Sequence, residues 1–219
     1  DGLNVANVNE SLDEANAKFN IQSPTFKADE DNVIPILDGD WFTDDISERF
    51  LQFVKVTFGV ESYAENIKFI EDAIGKSIRK YFLKDFYTDH VQRYKKRPIY
   101  WMFSSSKGSF QALIYMHRYK SDTVSVILND YLRDYISKLE ATKENLEAIG
   151  IKADAPKSEK VKALKEIEKI KKMIVECEDY EKDILYPLAT QKIEIDLDDG
   201  VKVNYAKFGK ALKKIVGLD

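Results

Sequence analysis

The chain has 219 residues, of which 44% are hydrophobic and 33% charged, with a net charge of −4. No stretch approaches 18 uninterrupted apolar residues, which excludes a membrane-spanning helix, and the single cysteine, Cys177, excludes an internal disulfide and fits a reducing cytoplasm. The charge is uneven: residues 1–75 carry 16 acids and 5 bases, whereas residues 76–120 hold 11 bases against Asp85 and Asp89, the pattern of a local anion site.

Residues 1–32 are polar, with no charged head followed by an apolar run and no initiator Met, and read as a flexible lead-in or linker within a longer protein. Val33–Leu37 is a short apolar run interrupted by Pro35, suited to an edge strand or an extended lead-in. Thr43 is the expected N-cap of a helix whose Ile46, Phe50, Phe53, Val54 and Phe58 repeat at helical spacing, and Gly59 ends it. A second helix is expected over Ser62–Ile74. A third runs from about Ser77 to Lys96, where Pro98 forces the exit.

Two strands follow. Ile99, Trp101 and Phe103 alternate with Tyr100 and Met102, Ser104–Gly108 forms the turn, and Phe110–Tyr115 returns. Apolar residues at both parities predict a hairpin covered on both faces. Ser121 and Asp122 open a helix to about Ala148, and a second runs from about Lys157 to Tyr186 with Val161, Leu164, Ile167, Ile170, Ile174, Cys177 and Ile184 inward. Each spans roughly 40 Å at 1.5 Å per residue, and the short connector predicts an antiparallel pair. Ile193, Ile195 and Leu197 then alternate with acids up to Asp199-Gly200, a turn signal that predicts a terminal hairpin before a last short helix. The expected architecture is α+β and mostly α-helical, with small β-hairpins and a long antiparallel helical hairpin. Its parts are a lead-in (1–32), a helical lobe with a central hairpin (33–120), the helical pair (121–190) and a terminal hairpin with a short helix (191–219).

Little in the chain carries catalytic chemistry. Glu194, Asp196 and Asp198 share one strand parity, but they do not meet the calcium-loop pattern and read as an exposed face. His90, His117 and Cys177 lack the spacing of a zinc site, and His90 falls on an apolar helix face. Phosphate loops and nucleophile elbows are absent. The basic block is more informative. Arg93, Lys95, Lys96 and Arg97 end a helix, Ser105 and Lys107 lie at the hairpin turn, Tyr100 lies on its first strand and Arg118 follows the second. Cations, hydroxyls and rings in so small a unit suit phosphate contacts and stacking. These eight residues are the expected DNA-binding set, lining a common outer face; the alternative for the block is a surface that balances acidic protein.

The run KKRPIYWMFSSSKGSFQALIYMHRY (Lys95–Tyr119) resembles the C-terminal region of the BREX phage-defence adenine-specific DNA methyltransferases, the PglX family. So do IPILDGDWFTDDISERFLQFVKVTFG (Ile34–Gly59), IRKYFLKDFYTDHVQRYKKRP (Ile78–Pro98) and IEIDLDDGVKVNYAKF (Ile193–Phe208), in that order along the family. The resemblance implies a bacterial cytoplasmic parent enzyme that methylates adenine N6 with S-adenosylmethionine through an Asn-Pro-Pro-Tyr-type motif. All five prolines here are isolated, so no catalytic or cofactor residue carries over, and neither a cofactor nor a metal is expected in this piece. What it implies for these residues is a non-catalytic module that binds or positions DNA, or alternatively a protein–protein scaffold or spacer arm contacting other BREX proteins.

Overall fold

The computed structural model describes residues 26–151 and 156–218. Most of the expected lead-in and part of the connector between the long helices lie outside the described residues.

A three-stranded antiparallel sheet, ordered β1–β3–β2, divides the molecule. β1 is Val33–Pro35, β2 Tyr100–Ser104 and β3 Gln111–Tyr115. Ile114 of the central strand faces Val33 on one side and Trp101 on the other. Pro35 is tolerated because β1 is an edge strand, where its missing N–H costs no ladder bond. The period-two alternation sends Trp101, Phe103, Ala112 and Ile114 to one face, where they join the main core of Tyr135, Leu139, Ile174, Cys177 and Phe208. Met102 and Leu113 point the other way and meet Ile36 and Tyr87 in a smaller core. The central hairpin is therefore covered on both sides, as its composition predicts.

Three helices form the lobe over the smaller core. Helix α1 (Ile46–Phe58) is capped by Asp45, whose carboxylate accepts the N–H groups of Ser47 and Glu48 at 2.7 and 2.9 Å. The expected cap, Thr43, is exposed; a carboxylate that satisfies two orphan N–H groups at the positive end of the helix is the stronger cap. Of the apolar residues expected inward only Val54 is buried, while Phe53 and Phe58 are 42% and 57% exposed. Helix α2 (Tyr63–Ile74) buries no residue fully. Helix α3 comprises an α turn (Ile78–Tyr81), a π turn (Phe82–Phe86) and a closing α segment (Tyr87–Arg93). Lys95 and Lys96 then adopt left-handed backbone conformations, φ 50° and 65°. Glycine would sit there at less cost, so backbone preference does not explain lysine at either position.

The long pair is present. Helix α4 comprises Thr123–Val126, a π segment Ile127–Leu132 and Arg133–Ile151. Helix α5 comprises Lys157–Tyr180, a π turn Glu181–Leu185 and Tyr186–Gln191. Arg133 Nε donates to Glu181 Oε1 at 2.7 Å, which sets the early part of one helix beside the late part of the other in the antiparallel sense. The buried seam of α5 is Ala163, Ile167, Ile170, Ile174 and Cys177. Val161 and Leu164, expected inward, are instead 44% and 58% exposed, because they fall beside this three-and-four repeat rather than on it.

The expected terminal hairpin does not form. Leu197–Asp199 makes a 3-10 turn, and Gly200–Ala206 is helix α6. Val201 and Tyr205, four residues apart, satisfy helical spacing as well as strand alternation. Asn204 decides between the two: it is fully buried, and its amide nitrogen donates to the carbonyls of Asp196 and Gly200. Past a 3-10 turn at Gly209–Ala211, Leu212 bridges to Phe103 and the Lys213 N–H donates to Met102 O at 2.8 Å. The chain thus covers the free edge of β2, an edge that would otherwise invite pairing with another chain.

An acidic cluster joins the segment before β1 to α4. The Tyr131 hydroxyl lies 2.8 Å from both Asp31 Oδ2 and Asp44 Oδ2. Asp29 lies beside them, and burial with the neighbouring Asp31 pushes its carboxyl up to about 6. A raised carboxyl binds its proton more tightly in the folded than in the unfolded chain. Its contribution to stability is therefore complete below the ordinary value of 3.8 and is lost as pH rises through about 6. Asp29→Asn, whose amide can donate where the protonated acid does, is expected to gain about 1–3 kcal/mol over the parent at pH 8 and little at pH 4. Urea denaturation at the two pH values measures the difference.

Candidate nucleic-acid interface

The turn between β2 and β3 is built around a carboxylate from another element. Glu176, buried on α5, accepts the Ser105 hydroxyl at 2.6 Å, the Lys107 N–H at 2.6 Å, the Ser109 N–H at 3.3 Å and the Ser109 hydroxyl at 2.5 Å. Burial pushes the carboxyl up, but the four hydrogen bonds outweigh it and hold the group below the usual range. Gly108, at φ +81°, supplies the left-handed residue the turn needs. The rigid tip forms one wall of a cleft of about 730 Å³.

The opposite wall is α6 and the chain end. Five lysines line the cleft, Lys107, Lys202, Lys210, Lys213 and Lys214, together with Ser104, Ser106 and Gln111, over a floor that includes Tyr205, Leu212 and Ile215. Among the described residues, no aspartate or glutamate lines the cleft. Among the described residues, Lys107, Lys210 and Lys214 have no carboxylate within ion-pair distance, whereas Lys207, outside the cleft, lies 3.6 Å from Asp199. Burial and the nearby ammonium of Lys84 hold Lys213 below the ordinary lysine value. A concave surface lined by several cations focuses positive potential, and its donors suit phosphate oxygens.

The eight residues singled out from the sequence fall into three places. Ser105 and Lys107 are at the tip. Lys107 lines the cleft, but Ser105 is 3% exposed and its hydroxyl is committed to Glu176. Arg93, Lys95, Lys96 and Arg97 are exposed at the end of α3, and a side chain added at Gly217 would meet Lys96 Nζ, so this group abuts the chain end that walls the cleft. Tyr100 and Arg118 lie at the other end of the sheet, where Arg118 Nη2 donates to Glu30 O at 3.2 Å. Other members of the basic block serve the fold: Arg79 binds Asp40, Asp45 and Glu48, and Lys76 binds Asp85 at 2.7 Å.

Sequence reasoning missed Lys202, Lys210, Lys213 and Lys214. The signal is present, because residues 200–217 hold five lysines and no acid. It disappears when charge is averaged over the whole acidic C-terminal half. Of the groups considered for other chemistry, His90, Cys177 and Asp196 are taken up by the fold, whereas the buried Nδ1 of His117 has no hydrogen-bond partner among the described residues. His90 Nε2 accepts the Tyr100 N–H at 3.1 Å, and burial lowers its basicity. Cys177 is fully buried, which with the neighbouring Glu176 and Glu178 pushes its thiol up to about 12. Asp196 accepts the Asp198 N–H at 2.9 Å. Among the described residues, no group of three His, Cys, Asp or Glu is placed to hold a metal ion, and no helix is long and apolar enough to cross a membrane.

No protein-family model matches the chain. Among curated proteins it is similar to the adenine-specific methyltransferase BrxX of Escherichia coli O9:H4 (strain HS), 37% identical over 209 residues that make up 89% of this chain and 17% of the relative. It is also similar to the adenine-specific methyltransferase PglX of Lacticaseibacillus casei (strain Zhang), 39% identical over 194 residues, 84% of this chain and 16% of the relative. The chain thus spans about a sixth of the length of these relatives. It is homologous to one segment of the adenine-specific methyltransferases BrxX and PglX.

Proposed function

We propose that the chain is a non-catalytic C-terminal module of a BREX phage-defence adenine-specific DNA methyltransferase, and that it holds DNA for the parent enzyme through the lysine-lined cleft. The observation that carries this reading is the convergence of Lys107, Lys210, Lys213 and Lys214 on one concavity with no carboxylate among the described residues of its lining. S-adenosylmethionine belongs, in this reading, to the remainder of the parent. The only sheet among the described residues is antiparallel, so it lacks the βαβ turn that presents a helix N-terminus to such a cofactor.

The test replaces Lys107, Lys210 and Lys214 by Gln and spares Lys213, whose backbone pairs with β2. Duplex DNA binding by the 219-residue chain, followed by fluorescence anisotropy across a salt series, is expected to weaken at least tenfold. The slope of log affinity against log salt should fall by roughly 3, one for each lost phosphate contact. An unchanged slope in a folded variant overturns the reading. The alternative, a scaffold or spacer arm contacting other defence proteins, is favoured by Phe58, Val60 and Phe69, which are 57%, 69% and 73% exposed in the α1–α2 lobe. The same salt series separates the two, since an apolar docking surface gives no such slope.

A further inference from the structure

Most tyrosine hydroxyls in and around the core are bonded: Tyr87 to Tyr205, Tyr119 to Ile193 O, Tyr131 to Asp31 and Asp44, Tyr180 to Ala211 O and Tyr205 to Lys213 O. Tyr94, Tyr100 and Tyr115 differ, as does Tyr135 in the main core. The first three gather at the end of the sheet away from the hairpin tip, and among the described residues none of their hydroxyls has a hydrogen-bond partner. Tyr100 and Tyr115 are direct cross-strand partners with ring centroids 5.2 Å apart. His90 joins Tyr100 at 5.5 Å to Tyr94 at 4.7 Å. Burial, then Tyr115 and Tyr94, raise the Tyr100 phenol and Arg118 lowers it, so Tyr100 feels the other two tyrosines and the guanidinium. Arg118 is held by a backbone carbonyl, and among the described residues no carboxylate neutralises it.

The site therefore presents clustered rings in tilted and edge-to-face contact, donor hydroxyls and an uncompensated guanidinium. Stacking needs an open π face, which a paired base inside a duplex does not offer, and the guanidinium suits a phosphate. The lysine cleft begins at Ser104, four residues from Tyr100 along β2. That is about 13 Å at roughly 3.3 Å per residue, near four 3.4 Å steps of a DNA strand. We propose that Tyr94, Tyr100, Tyr115 and Arg118 form a second DNA subsite that takes an unpaired nucleotide, its base against the rings and its phosphate on Arg118, while the lysine cleft holds the flanking backbone. This rests on the DNA-binding reading above and adds to it a preference for DNA carrying a base outside the helix.

The test compares three fluorescent DNAs on the 219-residue chain: a duplex, the same duplex with one bulged nucleotide, and its single strand. The bulged duplex is expected to bind about tenfold more tightly than the perfect one. Arg118→Gln and Tyr94→Ala are each expected to bring that ratio below about threefold, weakening the bulged duplex more than the perfect one. Tyr100→Phe and Tyr115→Phe, which keep both rings, check whether the hydroxyls contribute without disturbing the strands. The lysine-cleft variant should weaken all three DNAs and preserve the ratio. A ratio near one in the parent chain, or one that survives both Arg118→Gln and Tyr94→Ala in folded protein, overturns the subsite. A ratio lost on those changes while the lysine variant binds normally keeps the subsite and overturns the cleft.

Discussion

Replacing Glu176 by alanine is expected to destabilise the protein by about 3 kcal/mol or more, among the largest effects of any single change here. The carboxylate satisfies the buried Ser105 hydroxyl, two backbone N–H groups and the Ser109 hydroxyl. Its removal leaves the Ser105 group without its acceptor at 3% exposure, and an unsatisfied buried donor costs roughly 1–3 kcal/mol before the loss of the charge-assisted bonds is counted. Water can reach Lys107 and Ser109, which keeps the total from doubling. For a chain of this size that corresponds to a fall in Tm of roughly 10 °C, measurable by calorimetry. The effect has a pH signature. The folded carboxyl is held below its ordinary value, so its contribution is present above the unfolded pKa and is lost as pH falls through the acid range. Parent and Glu176→Ala should therefore converge in stability at low pH. The variant should also bind DNA less tightly, because the wall carrying Lys107 loses its anchor.

A comparable loss, about 3–4 kcal/mol, is expected for Arg79→Ala. One guanidinium nitrogen donates to Leu37 O, Gly39 O and Asp45 Oδ2 at 3.2, 3.0 and 2.6 Å, and the other to Asp40 at 2.8 Å and Glu48 at 3.4 Å. The pair that matters is Arg79 with Asp45, whose side chain is 2% exposed. Asp40 and Glu48 are 89% and 45% exposed and contribute little. Removing the arginine strands a buried carboxylate that is also the N-cap of α1. Arg79→Lys recovers only part of the loss, since an ammonium cannot replace the planar fork across three acceptors. A double-mutant cycle with Asp45→Asn should show 1–3 kcal/mol of coupling by urea denaturation, and strict additivity would sink the assignment.

These two residues also mark how far the sequence can be read. Trp101, Phe103, Ala112 and Ile114 announce a hairpin with two covered faces because strand parity and burial are the same information. The helical pair is equally legible from Ile167, Ile170, Ile174 and Cys177, whose spacing is that of a packed seam. The segment 193–205 is not, since its apolar residues fit two periods and only Asn204, bonding to Asp196 and Gly200, selects the helix. Charge is harder still. Arg79 and Lys107 belong to one basic block in the sequence, yet one is an internal clamp and the other lines a cleft, a distinction made by partners distant in the chain. The remaining cleft lysines come from a segment some hundred residues beyond the hairpin, and the bridge between Leu212 and Phe103, with the Lys213 N–H to Met102 O bond beside it, brings the two together.

That bridge has a consequence for synthesis on the ribosome. The sheet, the lobe and much of the helical pair are translated before residues 212–214, so their packing can begin while one side of β2 is still bare. The lysine-lined hollow acquires its second side only when this segment has left the exit tunnel and zipped onto the strand. A nascent chain would thus be unable to bring the lysines of the two walls together until residues 202–214 have been translated.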